Sequence, residues 1–121
     1  MAHFKDLIAW QKSIELTTEV YRLTEVFPQH ELYGLADQIR RAAVSVPSNI
    51  AEGQAHFSRP DFKRYLRHSL GSLAEMETQM IIAERLQYIS NPKLATALQR
   101  IHEVGRIING LINSLREHKA A

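Results

Sequence analysis

Two lines of polar side chains raise the first chemical question. Gln38, Ser45, Asn49 and Glu52 recur at steps that place them on one side of a helix, with Arg41 at the edge. His68, Ser72, Glu75 and Gln79 form a second line with helical spacing. Glu52 and Glu75 would be a carboxylate pair for acid–base work if they shared a pocket. Ser45 would be a nucleophile if a base stood one turn away, yet no histidine does.

Other reaction classes fail on spacing. No Glu-x-x-His occurs, so the inward-facing ligand set of a di-iron bundle is missing. His102-Glu103 lacks the second histidine of a zinc protease, and His30-Glu31 sits at a helix start. The stretch "EGQAHFSRP" has one glycine and no phosphate-binding lysine motif. The six histidines are scattered, and there is no cysteine for a disulfide or a thiolate metal site. The residues therefore point away from an enzyme, and to no metal or cofactor.

Three roles remain open for the polar lines. They are solvated faces, an internal hydrogen-bond network, or a subunit interface of uncharged polar groups. Pro47 bears on the second, because a proline inside a helix frees the carbonyl four residues back, here Ala43, and a nearby Ser or Asn would satisfy it. Glu77 and Glu84 project near the middle of an otherwise apolar helix face. Glu77 is expected to neutralise Arg40 or Arg41 across a helix contact.

A basic strip offers a different chemistry. Lys63, Arg64, Arg67 and His68 follow closely behind Phe57 and Arg59, and Arg40 and Arg41 lie on the preceding helix. Such a strip can neutralise several phosphates of RNA or DNA, each adding a salt-dependent contribution to binding. The net charge of one copy, +2 from 15 Lys+Arg and 13 Asp+Glu, is too small to argue for nucleic acid by itself.

The elements that must position these groups are helices throughout. Apolar residues recur at three- and four-residue steps, and strict alternation is almost absent. Leu7, Trp10, Ile14, Thr17 and Tyr21 form one line of the first helix, and Leu16, Val20, Leu23 and Phe27 a second. Leu32, Ala36, Ile39, Ala43, Val46 and Ile50 fall within roughly 80° of arc, so the stripe continues through Pro47 in phase. Pro47 is then expected to bend helix two, and Gly53 to cap it.

Helix three opens at Ser58-Arg59-Pro60-Asp61 and carries Phe62, Leu66, Leu70, Leu73, Met76 and Met80; helix four opens at Asn91-Pro92. Its stripe is Leu94, Leu98, Ile101, Ile108, Leu111 or Ile112, and Leu115. This predicts a single all-α domain, an antiparallel up-down-up-down four-helix bundle, with helices at about 5–27, 31–53, 59–88 and 92–116 and a fraying tail "REHKAA". The N-terminus does not read as a signal peptide, and no apolar run approaches the ~20 residues of a membrane span. A cytoplasmic location is the expectation.

The runs "FKDLIAWQKSIEL", "FPQHELYGLADQIRRAAVSVPSNIAEG" and "FKRYLRHSLGSLAEMETQM" resemble the four-helix-bundle proteins encoded in intervening sequences of bacterial 23S ribosomal RNA. The resemblance covers nearly the whole chain, with helix four matching in pattern only. It implies an antiparallel bundle that assembles as a homopentamer. It also implies kinship with the accessory variability determinant of diversity-generating retroelements, a basic pentamer that works with a reverse transcriptase and binds nucleic acid.

The positions carrying the match are Gln38, Arg40, Arg41, Ser45, Pro47, Asn49, Glu52 and Gly53, then Gly71, Ser72, Glu75, Glu77 and Thr78. In a ring this favours the network and interface roles over solvation. Five copies would carry about +10, enough to hold a polyanion at low salt. The functional expectation is a non-enzymatic homo-oligomer that binds RNA or DNA through Arg40, Arg41, Lys63, Arg64 and Arg67. The alternative is a protein-interaction scaffold that docks an acidic partner.

Overall fold

The three- and four-residue apolar steps become four α-helices. The computed structural model describes residues 3–117: α1 is Ile8–Thr24, α2 Leu35–Ala55, α3 Arg59–Arg85 and α4 Asn91–Glu117. Single 3-10 turns, Phe4–Asp6 and Gln29–Glu31, precede α1 and α2. Of the tail expected to fray, residues 118–121 lie outside the described residues.

Each helix packs against its neighbours in sequence, and α4 closes back onto α1, while neither diagonal pair approaches within 8 Å Cα–Cα among the described residues. This is the antiparallel up-down-up-down bundle. The α2–α3 contact is the most extensive. Arg100 on α4 and Glu19 on α1 form an ion pair at 2.6 Å across the closing seam.

Several ends differ from expectation for local reasons. Leu7 is extended, so α1 starts after it. Gly34, at φ −109° and ψ −113°, separates the 3-10 turn from α2, which begins at Leu35 and leaves Leu32 outside the stripe and exposed. Glu31 fills the missing side-chain cap: its Oε1 accepts from Leu35 N at 3.0 Å. A Cβ on Gly34 would sit 2.5 Å from that oxygen. At α3 the expected cap is present, with Ser58 Oγ accepting from Asp61 N at 3.4 Å. At α4 the side chain accepting from the helix start is Ser90, bonded by Lys93 N at 3.4 Å, one residue earlier than Asn91.

The core face of α2 is as read, with Ala36, Ile39, Ala43, Val46 and Ile50 buried. That of α1 is not. Ala9, Ser13, Leu16, Val20 and Thr24 are its buried residues, whereas Ile14 and Tyr21 are exposed. The long line from Leu7 to Tyr21 is thus a flank, and small hydroxyl residues occupy the centre. α3 behaves likewise, burying Ser69 and Gln79 among Leu66, Leu73, Met76 and Met80. In α4 the buried line is Leu94, Ala97, Ile101, Val104, Ile108 and Ile112, with Leu98, Leu111 and Leu115 packed at its border.

The hydroxyls have partners that explain their burial. Pro47 lies inside α2 and lacks the N–H that would bond Ala43 O. Thr17 Oγ1 of α1 shares its one proton between that carbonyl, at 3.1 Å, and Ser13 O in its own helix, at 2.8 Å. From the opposite side, Ser69 Oγ of α3 donates to Val46 O at 2.9 Å. Both neighbours therefore grip α2 within one turn of the proline. A buried carbonyl left without a donor would cost about 1–3 kcal/mol.

Gly53, expected as a C-cap, is helical instead; α2 continues to Ala55 and ends at His56. The glycine serves close packing. A Cβ there would stand 2.5 Å from Tyr65 Cβ and 3.3 Å from Phe62 Cδ1, so the side chains of α3 pack directly on the bare backbone of α2. The Gly53→Ala variant should force the helices apart, with an overpacking cost of about 1–3 kcal/mol and a Tm lower by roughly 5–15 °C. Thermal melting by circular dichroism checks this; an unchanged Tm contradicts it.

Glu31 also accepts from the Tyr88 hydroxyl at 2.8 Å, tying the start of α2 to the α3–α4 connector. The Leu35 N–H and then the Tyr88 hydroxyl hold the Glu31 carboxyl below its ordinary value of 4.5. The same bond, with burial, raises Tyr88 above 10.0. Because Glu31 is depressed in the folded chain, its contribution is complete above 4.5 and is lost as pH falls through the lower folded value. Melting of the Glu31→Gln variant across pH 3–6 should therefore lose part of the acid-side fall in Tm seen for the unaltered chain. Identical pH profiles would contradict the assignment.

Candidate functional site

The two polar lines meet along the α2–α3 seam. Ser45 Oγ and Ser72 Oγ are hydrogen-bonded across it, and Ser45 is also bonded to Ala42 O at 2.8 Å. Asn49 Nδ2 donates to Ser45 O at 2.8 Å. Glu52 Oε2 accepts from the Tyr65 hydroxyl at 3.2 Å. Ser45–Ser72 and Glu52–Tyr65 thus join the two helices by separate hydrogen bonds, while Asn49 bonds back onto its own helix. Gln79 is buried further along α3, and its Oε1 has no hydrogen-bond partner among the described residues.

Gln38, Arg41, Ala42, Ser45, Ser72 and Glu75 line a groove of about 390 Å³ beside this seam. Glu52 lies instead against Tyr65, so Glu52 and Glu75 do not share that groove. A second groove, of about 730 Å³, runs along the opposite flank of α2 toward α1. It is lined by Tyr21, Leu32, Tyr33, Asp37, Arg40, Arg41, Val44 and Ser45. Tyr33 is 90 % exposed there. Arg41 and Ser45 belong to both grooves and form the ridge between them.

The basic residues divide into three groups. Arg40 turns into the bundle, donating from Nε to Thr24 Oγ1 at 2.7 Å with its guanidinium 4.8 Å from the centre of the Tyr21 ring. It ties α2 to α1 and is half-buried, unlike the exposed cation expected of it. Arg41 is exposed and paired with Asp37 at 2.8 Å. Neither arginine meets Glu77, whose Oε1 lies 3.0 Å from His102 Nε2 on α4. The face of α3 that carries Glu77 turns toward α4, which overturns the expected pairing.

The third group surrounds the α2–α3 turn. Arg59 and Arg67 are exposed and make no ion pair or hydrogen bond among the described residues. Arg64 lies 3.6 Å from Asp61, with its guanidinium 4.6 Å from the centre of the Tyr65 ring. Lys63 stands half-buried between them in sequence. Residues 52–68 hold four cationic side chains (Arg59, Lys63, Arg64, Arg67) against two carboxylates (Glu52, Asp61). This tip alone equals the +2 net charge of the whole chain.

Aromatic rings share the tip. His56 stacks on Tyr65 with centroids 5.2 Å apart, and His68 meets Tyr65 edge-on at 5.7 Å. Tyr65 is also the residue seated against Gly53, so the helix contact fixes the position of this cluster. Phe57 completes it at the left-handed position after the helix end, with φ 54° and 75 % of its surface exposed. Glycine is usual there; any side chain costs about 1–2 kcal/mol. The sequence reading had Phe57 only as a neighbour of the strip, and its conformation had no signature beyond the absence of a glycine after Ala55.

The fold and this surface define a class: an all-helical bundle with a polar inter-helix network and a basic, aromatic tip. The family follows from comparison with known proteins. The model of the 23S rRNA-intervening sequence protein family matches residues 5–110, and the chain belongs to that family. A crystal structure of a protein of unknown function from the S23 ribosomal protein family of Bacteroides thetaiotaomicron VPI-5482 superposes with a TM-score of 0.81 at 23% identity. That match covers 90% of this chain and 98% of that one, and establishes the shared fold. No curated protein matches the chain. Among the described residues no helix is long and apolar enough to cross a membrane.

Proposed function

We propose that the chain is a non-enzymatic, self-assembling bundle that binds RNA or DNA through the basic edge at the start of α3. The observation that carries the reading is the concentration of positive charge on that edge, with Arg59 and Arg67 making no ion pair or hydrogen bond among the described residues. Arg64, Lys63 and Arg41 extend it, whereas Arg40 is spent on the α1 contact. Cations arranged along one surface bind a phosphate backbone by releasing its counterions, so affinity falls steeply with salt.

Self-assembly is supported by residues that one copy does not explain. Gly71 lies in the middle of α3, where glycine costs about 1 kcal/mol relative to alanine. A Cβ on it would meet nothing within 4 Å. A neighbouring copy approaching α3 beside Ser72 and Glu75 would account for the missing side chain. The exposed apolar side chains of the larger groove, Tyr21, Leu32, Tyr33 and Val44, would be covered by the same assembly. A ring of five, as the resemblance implies, needs two different contact surfaces on each copy, and the two flanks of α2 offer them. A bend at Pro47 would set the angle between these flanks.

The test is light-scattering mass on a sizing column at low salt, with and without a short mixed-sequence RNA. The expected result is a particle of about 70 kDa, five chains of 13.9 kDa, that gains mass with RNA and releases it as salt rises. The Arg67→Glu variant should keep the mass and lose most of the RNA. A pentamer indifferent to RNA would move the reading to a scaffold for an acidic protein. A monomer would overturn the assembly.

A further inference from the structure

We infer that the α2–α3 tip is a single-strand-selective nucleic-acid site in which an unpaired base stacks on Phe57 while Arg59 and Arg67 hold the flanking phosphates. This rests on the nucleic-acid reading above and deepens it, by naming the strand state recognised and the residue that reads it.

Phe57 is the point of departure because neither folding nor packing explains it. Its backbone occupies a conformation that suits glycine, and its ring is 75 % exposed, so it contributes little to the core. An exposed aromatic held at such a backbone position is a candidate for contact with something outside the chain. The surroundings indicate what that is. Arg59 follows two residues later, exposed and without an ion pair or hydrogen bond among the described residues, and the tip's net positive charge repels a cationic partner and attracts an anionic one.

The other rings of the tip are already engaged with one another. Tyr65 carries His56 at 5.2 Å, His68 at 5.7 Å and the Arg64 guanidinium at 4.6 Å, and its hydroxyl is held by Glu52. Tyr65 also packs on Gly53, so these rings are engaged within the bundle, whereas Phe57 makes no ring contact among the described residues. A flat π-face beside arginines matches the chemistry of single-stranded nucleic acid, where bases stack on aromatic side chains and cations follow the backbone. Paired bases in a duplex are already stacked and cannot reach an exposed ring in this way.

The experiment measures binding of a fluorescently labelled single-stranded RNA, and of the same sequence as a duplex, by anisotropy at low salt. The full chain is compared with Phe57→Gly, Phe57→Trp and Arg67→Glu. Phe57→Gly relieves the left-handed backbone and should raise the Tm, yet weaken single-strand binding about tenfold and leave duplex binding unchanged. Phe57→Trp should retain the affinity, and its indole emission should be quenched when the single strand is added. Arg67→Glu should weaken both forms.

If Phe57→Gly binds the single strand as the unaltered chain does while Arg67→Glu does not, the stacking site is overturned and the basic edge stands. If the unaltered chain binds neither form at low salt, the nucleic-acid reading itself fails. If Phe57→Gly instead changes the oligomeric mass, the ring belongs to a subunit contact and the inference is wrong.

Discussion

A single carbonyl sets the terms on which this bundle packs. Pro47 sits in the middle of α2 with no N–H to offer Ala43, and the vacancy is filled from another helix by Thr17. A hydrophobic stripe alone would let α1 slide or rotate against α2 at small cost, since methyl groups accept many neighbours. A hydroxyl that must reach one carbonyl does not allow that. Ser69 applies the same constraint from α3 by donating to Val46 O, so three helices are registered within one turn of the proline. Such directional contacts favour one arrangement over near alternatives, beyond what they add to stability.

The polar seam follows from that register. With α2 and α3 drawn together at Gly53 and held at Ser69, the hydroxyls of Ser45 and Ser72 meet, and Asn49 turns back onto its own helix. Ser45 and Ser72 join the two helices, and Asn49 braces the backbone of α2 beside them. The proposed function lies instead where the seam ends. There α2 stops, the chain reverses through Phe57, and the first turns of α3 present Arg59, Arg64 and Arg67. The rigid seam holds the tip, and the tip carries the charge.

Much of the fold was legible in the sequence because its signals are local. The phase of Ala36, Ile39, Ala43, Val46 and Ile50 through Pro47 required a continuous helix, and Ser58 with Pro60 marked the start of α3. In α1 the apolar pattern alone offered two lines, and the small hydroxyl residues that mark the buried one carry no apolar signal. Ser13 and Thr24 share the buried line with Leu16 and Val20, and Ser69 fills the gap between Leu66 and Leu73. Those spacings were visible; what hid them is that a hydroxyl enters a core only when a carbonyl is within its reach, in its own helix for Ser13 and Thr24 and on α2 for Ser69. Gly53 was misassigned for a related reason, because a glycine near a helix end looks the same whether it caps or lets another helix approach. The roles of Arg40 and Glu77 depended on which neighbour each helix face meets, and no pattern within one helix specifies that.

The most direct test of this account is a double-mutant cycle between Thr17→Val and Pro47→Ala, read by chemical denaturation. Thr17→Val keeps the side-chain shape and removes the one proton that Ala43 O and Ser13 O share; the bond to Ser13 O is lost in both backgrounds, so the coupling reports the contact with Ala43 O. An alanine at position 47 restores the helix's own N–H donor to that carbonyl. The account predicts that Thr17→Val costs about 1 kcal/mol more in the chain with Pro47 than in the chain with alanine there. Additive losses, within about 0.3–0.5 kcal/mol, would mean that the threonine and the proline are independent and that the register is set elsewhere.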